Sequence, residues 1–192
     1  MGGAGRMRQA LVEQARDALV PRQAARVGNG DIATALAVCG GAVLASGLLA
    51  ARWSPSPVHG RIRRDYERLE KPPFNPPDSA FAIWGPIYAA LTVSGARLWN
   101  APPSPARRRA LAHWFGIQGL NALWMWLGFG QRMRGAATLE AAATTVNAVA
   151  YVEAARRVDR PAAWLAVPYA AWIGFAALLT EELWRRNRGR VE

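Results

Sequence analysis

Reactive side chains are scarce in this chain: its 192 residues hold one cysteine, two histidines and 13 carboxylates. Cys39 has no partner, which excludes an intrachain disulfide; inside an apolar run it suits burial as a small hydrophobe. His59 and His113 are isolated in sequence, and a two-histidine haem or metal site would lack the further ligands such sites need. No nucleophile–base pair is visible. Ordinary catalysis finds no support, no metal site and no obligatory cofactor are expected, and enzyme activity is left open.

Negative charge is the scarcer sign. The 24 basic residues, almost wholly arginine, leave a net charge of +11, a total that alone would suit a nucleic-acid partner. Their positions speak against one. Arg61, Arg63 and Arg64, then Arg107 to Arg109, Arg156 and Arg157, and finally Arg185, Arg186, Arg188 and Arg190 gather in connectors and at the tail, as loops at a membrane face do. Both sets of alternate connectors are basic, so no membrane orientation follows.

What lies between the arginines is apolar. The chain is 52% hydrophobic with nine tryptophans, and its mean hydropathy of -0.02 only averages apolar blocks with charged connectors. Five runs stand out: Ile32–Ala51, Ser79–Ala96, Ala110–Gly130, Gly135–Val152 (with Glu140 inside it) and Pro161–Thr180. At about 1.5 Å per residue they approach or match the thickness of a hydrocarbon core. The expected fold is an all-α integral membrane protein, a bundle of five transmembrane helices over residues 31–187. Residues 1–30 form a basic extension, amphipathic on the membrane surface or disordered, and 188–192 a basic tail. Neither a signal peptide nor an organelle-targeting leader fits the extension.

Spacing within the runs points to candidate contacts. Trp53, Trp99, Trp114, Trp164 and Trp184 fall near predicted helix ends, where an interfacial belt accounts for them. Trp84, Trp124, Trp126 and Trp172 lie deeper, with cavity lining and plain packing both open. Trp84 shares a helix face with Tyr88, Asn121 with Trp124, and Tyr169 with Trp172; Trp126 points away from Trp124. Glu140, Thr144, Asn147 and Tyr151 draw one polar stripe, open to helix–helix hydrogen bonding or ligand contact. Pro86 and Pro168 predict kinks. Ala33, Ala37, Gly41 and Ala45 form a small-residue ridge for another helix. The proline-rich loop before the second run (Pro72, Pro73, Pro76 and Pro77, anchored by Tyr66 and Phe74) suits a lid over one mouth of the bundle, or a strap over helix ends.

Three signatures carry a resemblance. DYERLEKPPFNPP followed by AFAIWGPIYAALTVSGARLW places Tyr66, Leu69, Lys71, Pro72, Phe74, Pro76 and Pro77 ahead of Trp84 and Tyr88. Leu120, Asn121, Trp124, Phe129 and Gly130 make the second; Pro168, Tyr169 and Trp172 the third. Together they resemble the tryptophan-rich sensory protein / translocator protein (TspO/MBR) family from about Ile32 to Asn187. That resemblance implies a five-helix, multi-pass protein of the cell membrane in a bacterium or an organelle membrane in a eukaryote. It implies a planar hydrophobic ligand: a porphyrin or other haem-type tetrapyrrole, with sterols in animal members and synthetic benzodiazepine-type drugs. Homodimers are common in the family. Its ligand would lie among Tyr66, Trp84, Asn121 and Trp172, with Tyr88, Trp124, Asn147 and Tyr169 as further candidates and Leu69, Lys71, Pro72, Phe74, Pro76 and Pro77 as the lid. Met125 and Trp126 replace two prolines of animal members. Glu181 and Glu182 stand where a proposed cholesterol motif needs tyrosine, so weak or absent sterol recognition is expected there.

Three functions compete. A membrane sensor or carrier for a tetrapyrrole needs a flat slot, stacking faces and a basic rim, for which Arg61, Arg63, Arg64 and Lys71 are candidates. An enzyme promoting light-dependent porphyrin degradation would use the tryptophans. An interaction scaffold would keep only a vestigial pocket.

Overall fold

The computed structural model describes residues 3–21 and 27–189. Parts of the expected extension (1–2 and 22–26) and of the tail (190–192) lie outside the described residues. Within them the chain is all-helical, without strands. Its helices are α1 (Gly3–Leu19), α2 (Asn29–Ala51), the short α3 (Gly60–Glu67), α4 (Trp84–Trp99), α5 (Pro105–Met125), α6 (Arg134–Arg156) and α7 (Arg160–Arg186). A 3₁₀ segment, Asp78–Ile83, leads into α4, and a π-helical turn, Trp126–Gly130, ends α5.

Local chemistry sets several of these boundaries. Ser104 accepts a hydrogen bond from the Arg107 amide at the start of α5, with Pro105 in its first turn. Asp159 does the same for the Ala162 amide at the start of α7, ahead of Pro161. Side-chain acceptors at the N-cap satisfy amides that have no partner inside the helix, and proline is tolerated there because its missing donor is not needed. The same argument removes one expected kink. α4 begins at Trp84, so Pro86 falls in its first turn, whereas Pro168 does lie inside α7.

Short connectors make α4–α5 and α6–α7 neighbours. Five helices close into a ring in the order α2, α5, α6, α7, α4. Three segments are long and apolar enough to cross a membrane: Asn29–Ala51, Asp78–Trp99 and Arg160–Arg186. α5 and α6, of 21 and 23 residues, match them in length but not in composition. Gln118 and Asn121 of α5 and Glu140 and Thr144 of α6 are buried, and polar side chains at membrane depth face the protein interior. By composition alone, the five expected crossings reduce to three.

One end of the ring is solid. Trp114 is fully buried, donates its Nε1 hydrogen to Leu91 O at 2.9 Å, and packs against Gly95, where an added Cβ would stand 2.5 Å from the indole. It belongs to the core, not to an interfacial belt. Trp164, 72% exposed, suits the belt. Ser94 Oγ bonds Tyr151 OH at 2.5 Å and donates to Ala162 O at 2.7 Å. Beyond it the Arg97 guanidinium grips both Asp159 oxygens, at 2.6 and 3.1 Å, and is almost wholly buried. Its Nη1 also donates to Asp17 O and Ala18 O, and Asn100 Nδ2 to Leu19 O, which ties the last turn of α1 to α4. Residues 5–18 are exposed. The ridge of Ala33, Ala37, Gly41 and Ala45 is exposed too; α2 turns Ala35, Cys39, Val43 and Ser46 inward instead.

Candidate functional site

The other end of the ring is hollow. A cavity of about 630 Å³ opens where α2, α5 and α7 end and α4 and α6 begin, a size suited to a small-molecule ligand. Small residues of α2 (Gly47, Ala50, Ala51) form one wall and leave room, while aromatic side chains from the other elements fill the remainder. Trp84 stacks on Tyr88 with ring centres 5.1 Å apart, one turn along α4, and meets Trp172 edge-on at 6.2 Å. Trp172 continues to Phe175 at 5.4 Å, and Phe175 to Phe74 of the proline-rich segment at 6.3 Å. A second arc runs from Tyr66 through Phe129 to Trp124. Edge-to-face pairs of this kind hold ring orientations as well as bury area, so the walls are preformed.

The proline-rich segment lies across this mouth. Tyr66 OH donates to Asn75 Oδ1 at 3.2 Å, and the Lys71 ammonium sits 4.5 Å from the centre of the Tyr66 ring. Burial raises the Tyr66 phenol above its ordinary value, partly opposed by the Asn75 contact. Asn187, just past α7, fastens the segment. Its Oδ1 accepts from the Glu70 amide and its Nδ2 donates to Glu70 O, each at 3.0 Å. Arg132, the single described non-glycine residue with positive φ, pairs with Asp65 of α3.

Of the expected contacts, Tyr66, Trp84, Tyr88, Asn121, Trp124 and Trp172 share the cavity wall, with Lys71 and Pro76 from the lid. Two of the candidates stand apart from it. Asn147 spends its amide on α5, donating to His113 O at 3.0 Å and meeting His113 Nδ1 at 2.8 Å. Tyr169 is buried behind the wall, its hydroxyl donating to Asn121 Oδ1 at 2.8 Å. Leu69, Pro72, Phe74 and Pro77 also lie off the wall. The polar stripe of α6 therefore divides: Asn147 and Tyr151 bond neighbouring helices, while Glu140 and Thr144 face the cavity. Glu140 and Thr144 thus take the ligand-contact alternative left open for the stripe, while Phe129, Phe175 and the α7 series Ala176, Leu179, Thr180 and Leu183 line the cavity without having been singled out as contacts. Their 3–4 spacing from Trp172 was the available signal for the α7 members.

The basic rim is weaker than expected. Arg63 reaches the mouth but pairs with Glu67 at 2.7 Å and Asp78 at 3.5 Å, and Arg61 and Arg64 are not on the cavity wall. Arg63 and Lys71 are thus balanced by two carboxylates. No cluster of metal-binding side chains occurs among the described residues.

Comparison with known proteins identifies the family. The model of the TspO/MBR family matches residues 33–185. The translocator protein of Ovis aries is 36% identical over 136 residues, 69% of this chain and 80% of that protein. The tryptophan-rich protein TspO of Chlorobaculum tepidum is 29% identical over 154 residues, 79% of this chain and 95% of its own length. The tryptophan-rich sensory protein of Cereibacter sphaeroides is 29% identical over 147 residues, 75% and 91% of the two chains. α1 precedes the matched region, and the aromatic cavity and its strap fall within it. By sequence match over most of its length, the chain belongs to the TspO/MBR family.

Proposed function

We propose that this protein crosses the membrane five times and binds a flat hydrophobic molecule, a porphyrin or related tetrapyrrole, in the cavity beneath its proline-rich strap. The observation that carries the reading is the pair of aromatic arcs around a preformed, mostly apolar space. Flat slots of this kind recognise planar ring systems through stacking and burial rather than many hydrogen bonds. Five crossings follow if α5 and α6, sufficient in length, keep their polar side chains inward as they do here. A vestigial pocket in a scaffold protein would have little reason to keep its rings held apart. A homodimer would use the exposed small-residue ridge of α2.

The test is a dark titration with protoporphyrin IX in nanodiscs, beside a Trp84→Ala/Trp172→Ala variant. Saturation near one ligand per chain, weakened about tenfold or more in the variant, is expected from the loss of two stacking faces. Equal, unsaturable uptake by both proteins sinks the reading and leaves partitioning into lipid. Illuminating the saturated complex then separates sensing or storage from light-driven loss of the porphyrin.

A further inference from the structure

Five buried side-chain polar atoms lack a hydrogen-bond partner among the described residues, and three belong to side chains on the cavity wall: Asn121 Nδ2, Trp124 Nε1 and Glu140 Oε2. Asn121 and Glu140 are each only 7% exposed. Buried donors and acceptors are almost always paired, so a cluster left open on the lining of a cavity calls for a partner the chain does not supply.

The atoms already engaged fix what is left. Asn121 Oδ1 accepts from Tyr169, which leaves its amide hydrogens as the open function. Glu140 Oε1 accepts from Thr144 Oγ1 at 2.6 Å, which leaves Oε2. Trp124 has a single N–H to give. One wall therefore offers two donors on α5 and one carboxyl oxygen on α6, the helix packed against it. A carboxylate on the ligand would bring only acceptors and leave an ionised Glu140 Oε2 unmet.

We infer that the ligand carries, on its flat apolar body, an N–H beside a carbonyl oxygen, as a lactam or secondary amide does. The carbonyl accepts from Asn121 and Trp124, and the N–H donates to Glu140. The inference rests on the proposal that the cavity binds a flat hydrophobe; within that reading it favours a ring system bearing such an amide over a porphyrin, whose peripheral acidic groups are carboxylates. It also suits the mouth, where Arg63 is already held by Glu67 and Asp78.

The experiment uses a matched pair of flat probes, phenanthridin-6(5H)-one and its N-methyl derivative, read by tryptophan quenching in nanodiscs. The native protein is expected to bind the N–H form about tenfold tighter, as hydrogen bonds to a carboxyl group warrant. In Glu140→Leu the preference falls to parity. Glu140→Gln, whose amide oxygen still accepts, retains part of it and guards against a variant that merely fails to fold. Trp124→Phe weakens binding of both probes, since both carry the carbonyl. Parity in the native protein would mean that water meets these atoms and would overturn the inference, as would a preference that survives Glu140→Leu, which would be steric. Saturable porphyrin binding alongside parity would leave the cavity proposal standing; no saturable binding of any probe would remove both.

Discussion

Gly95 and Trp114 show how narrowly single residues fit in the solid half of the bundle. The indole occupies the space that any Cβ at position 95 would need, and its N–H is already committed to Leu91. Gly95→Ala must push the ring or separate α4 from α5. Overpacking of this kind costs about 1–3 kcal/mol, so the variant should unfold at lower temperature in detergent. Its porphyrin stoichiometry should be unchanged, because neither Gly95 nor Trp114 touches the cavity. Sequence position placed Trp114 near a helix end, which is where an interfacial indole belongs. What it could not reveal is that α5 begins five residues before the apolar run, at the Ser104 cap, which moves Trp114 away from the end. Phe129 escaped notice as a contact for a related reason: the π-helical turn that aims it at Trp124 leaves no mark in hydrophobic periodicity.

At the level of elements, the strap and the end of α7 act as a unit. Asn187 forms two hydrogen bonds to Glu70 and a third to Leu183 within its own helix, so the strap is fastened to a rigid post. Each strap bond contributes about 0.5–1.5 kcal/mol net. Asn187→Ala should speed ligand release about fivefold or more and increase proteolysis between residues 68 and 78; an unchanged release rate would show that the aromatic contacts of Phe74 and Tyr66 hold the strap without it. The strap's existence was legible from its prolines and its motif, and so were the face pairs Trp84–Tyr88 and Asn121–Trp124. The fastening was not, because a lone asparagine over a hundred residues downstream carries no local pattern. The α6 stripe was legible as a stripe, but periodicity shows only a shared face. Which neighbour each polar residue meets depends on how α5 and α4 pack, and that sent Asn147 to His113 and Glu140 to the cavity.

The whole molecule is organised by a contrast between its two ends. Arg97 joins α4, α7 and α1 at the solid end through its paired contacts with Asp159 and the carbonyls of α1. Removing one partner of a buried ion pair costs about 3–5 kcal/mol, because the other charge is left uncompensated. Arg97→Leu should therefore lower the unfolding temperature markedly and release α1, seen as faster hydrogen exchange over residues 3–19; undiminished protection there would place the tether of α1 elsewhere. Composition revealed the membrane character of this assembly; α5 and α6, which bury Gln118, Asn121, Glu140 and Thr144, are less apolar than the three segments long and apolar enough to cross a membrane.

The solid end has a further consequence. With Trp114, Leu91, Leu98 and Tyr151 fully buried and the arginine pair behind them, the interior is a cul-de-sac. A ligand entering beneath the strap, as proposed, would find no passage through that end. Dwell time, rather than throughput, is the quantity such an architecture can adjust.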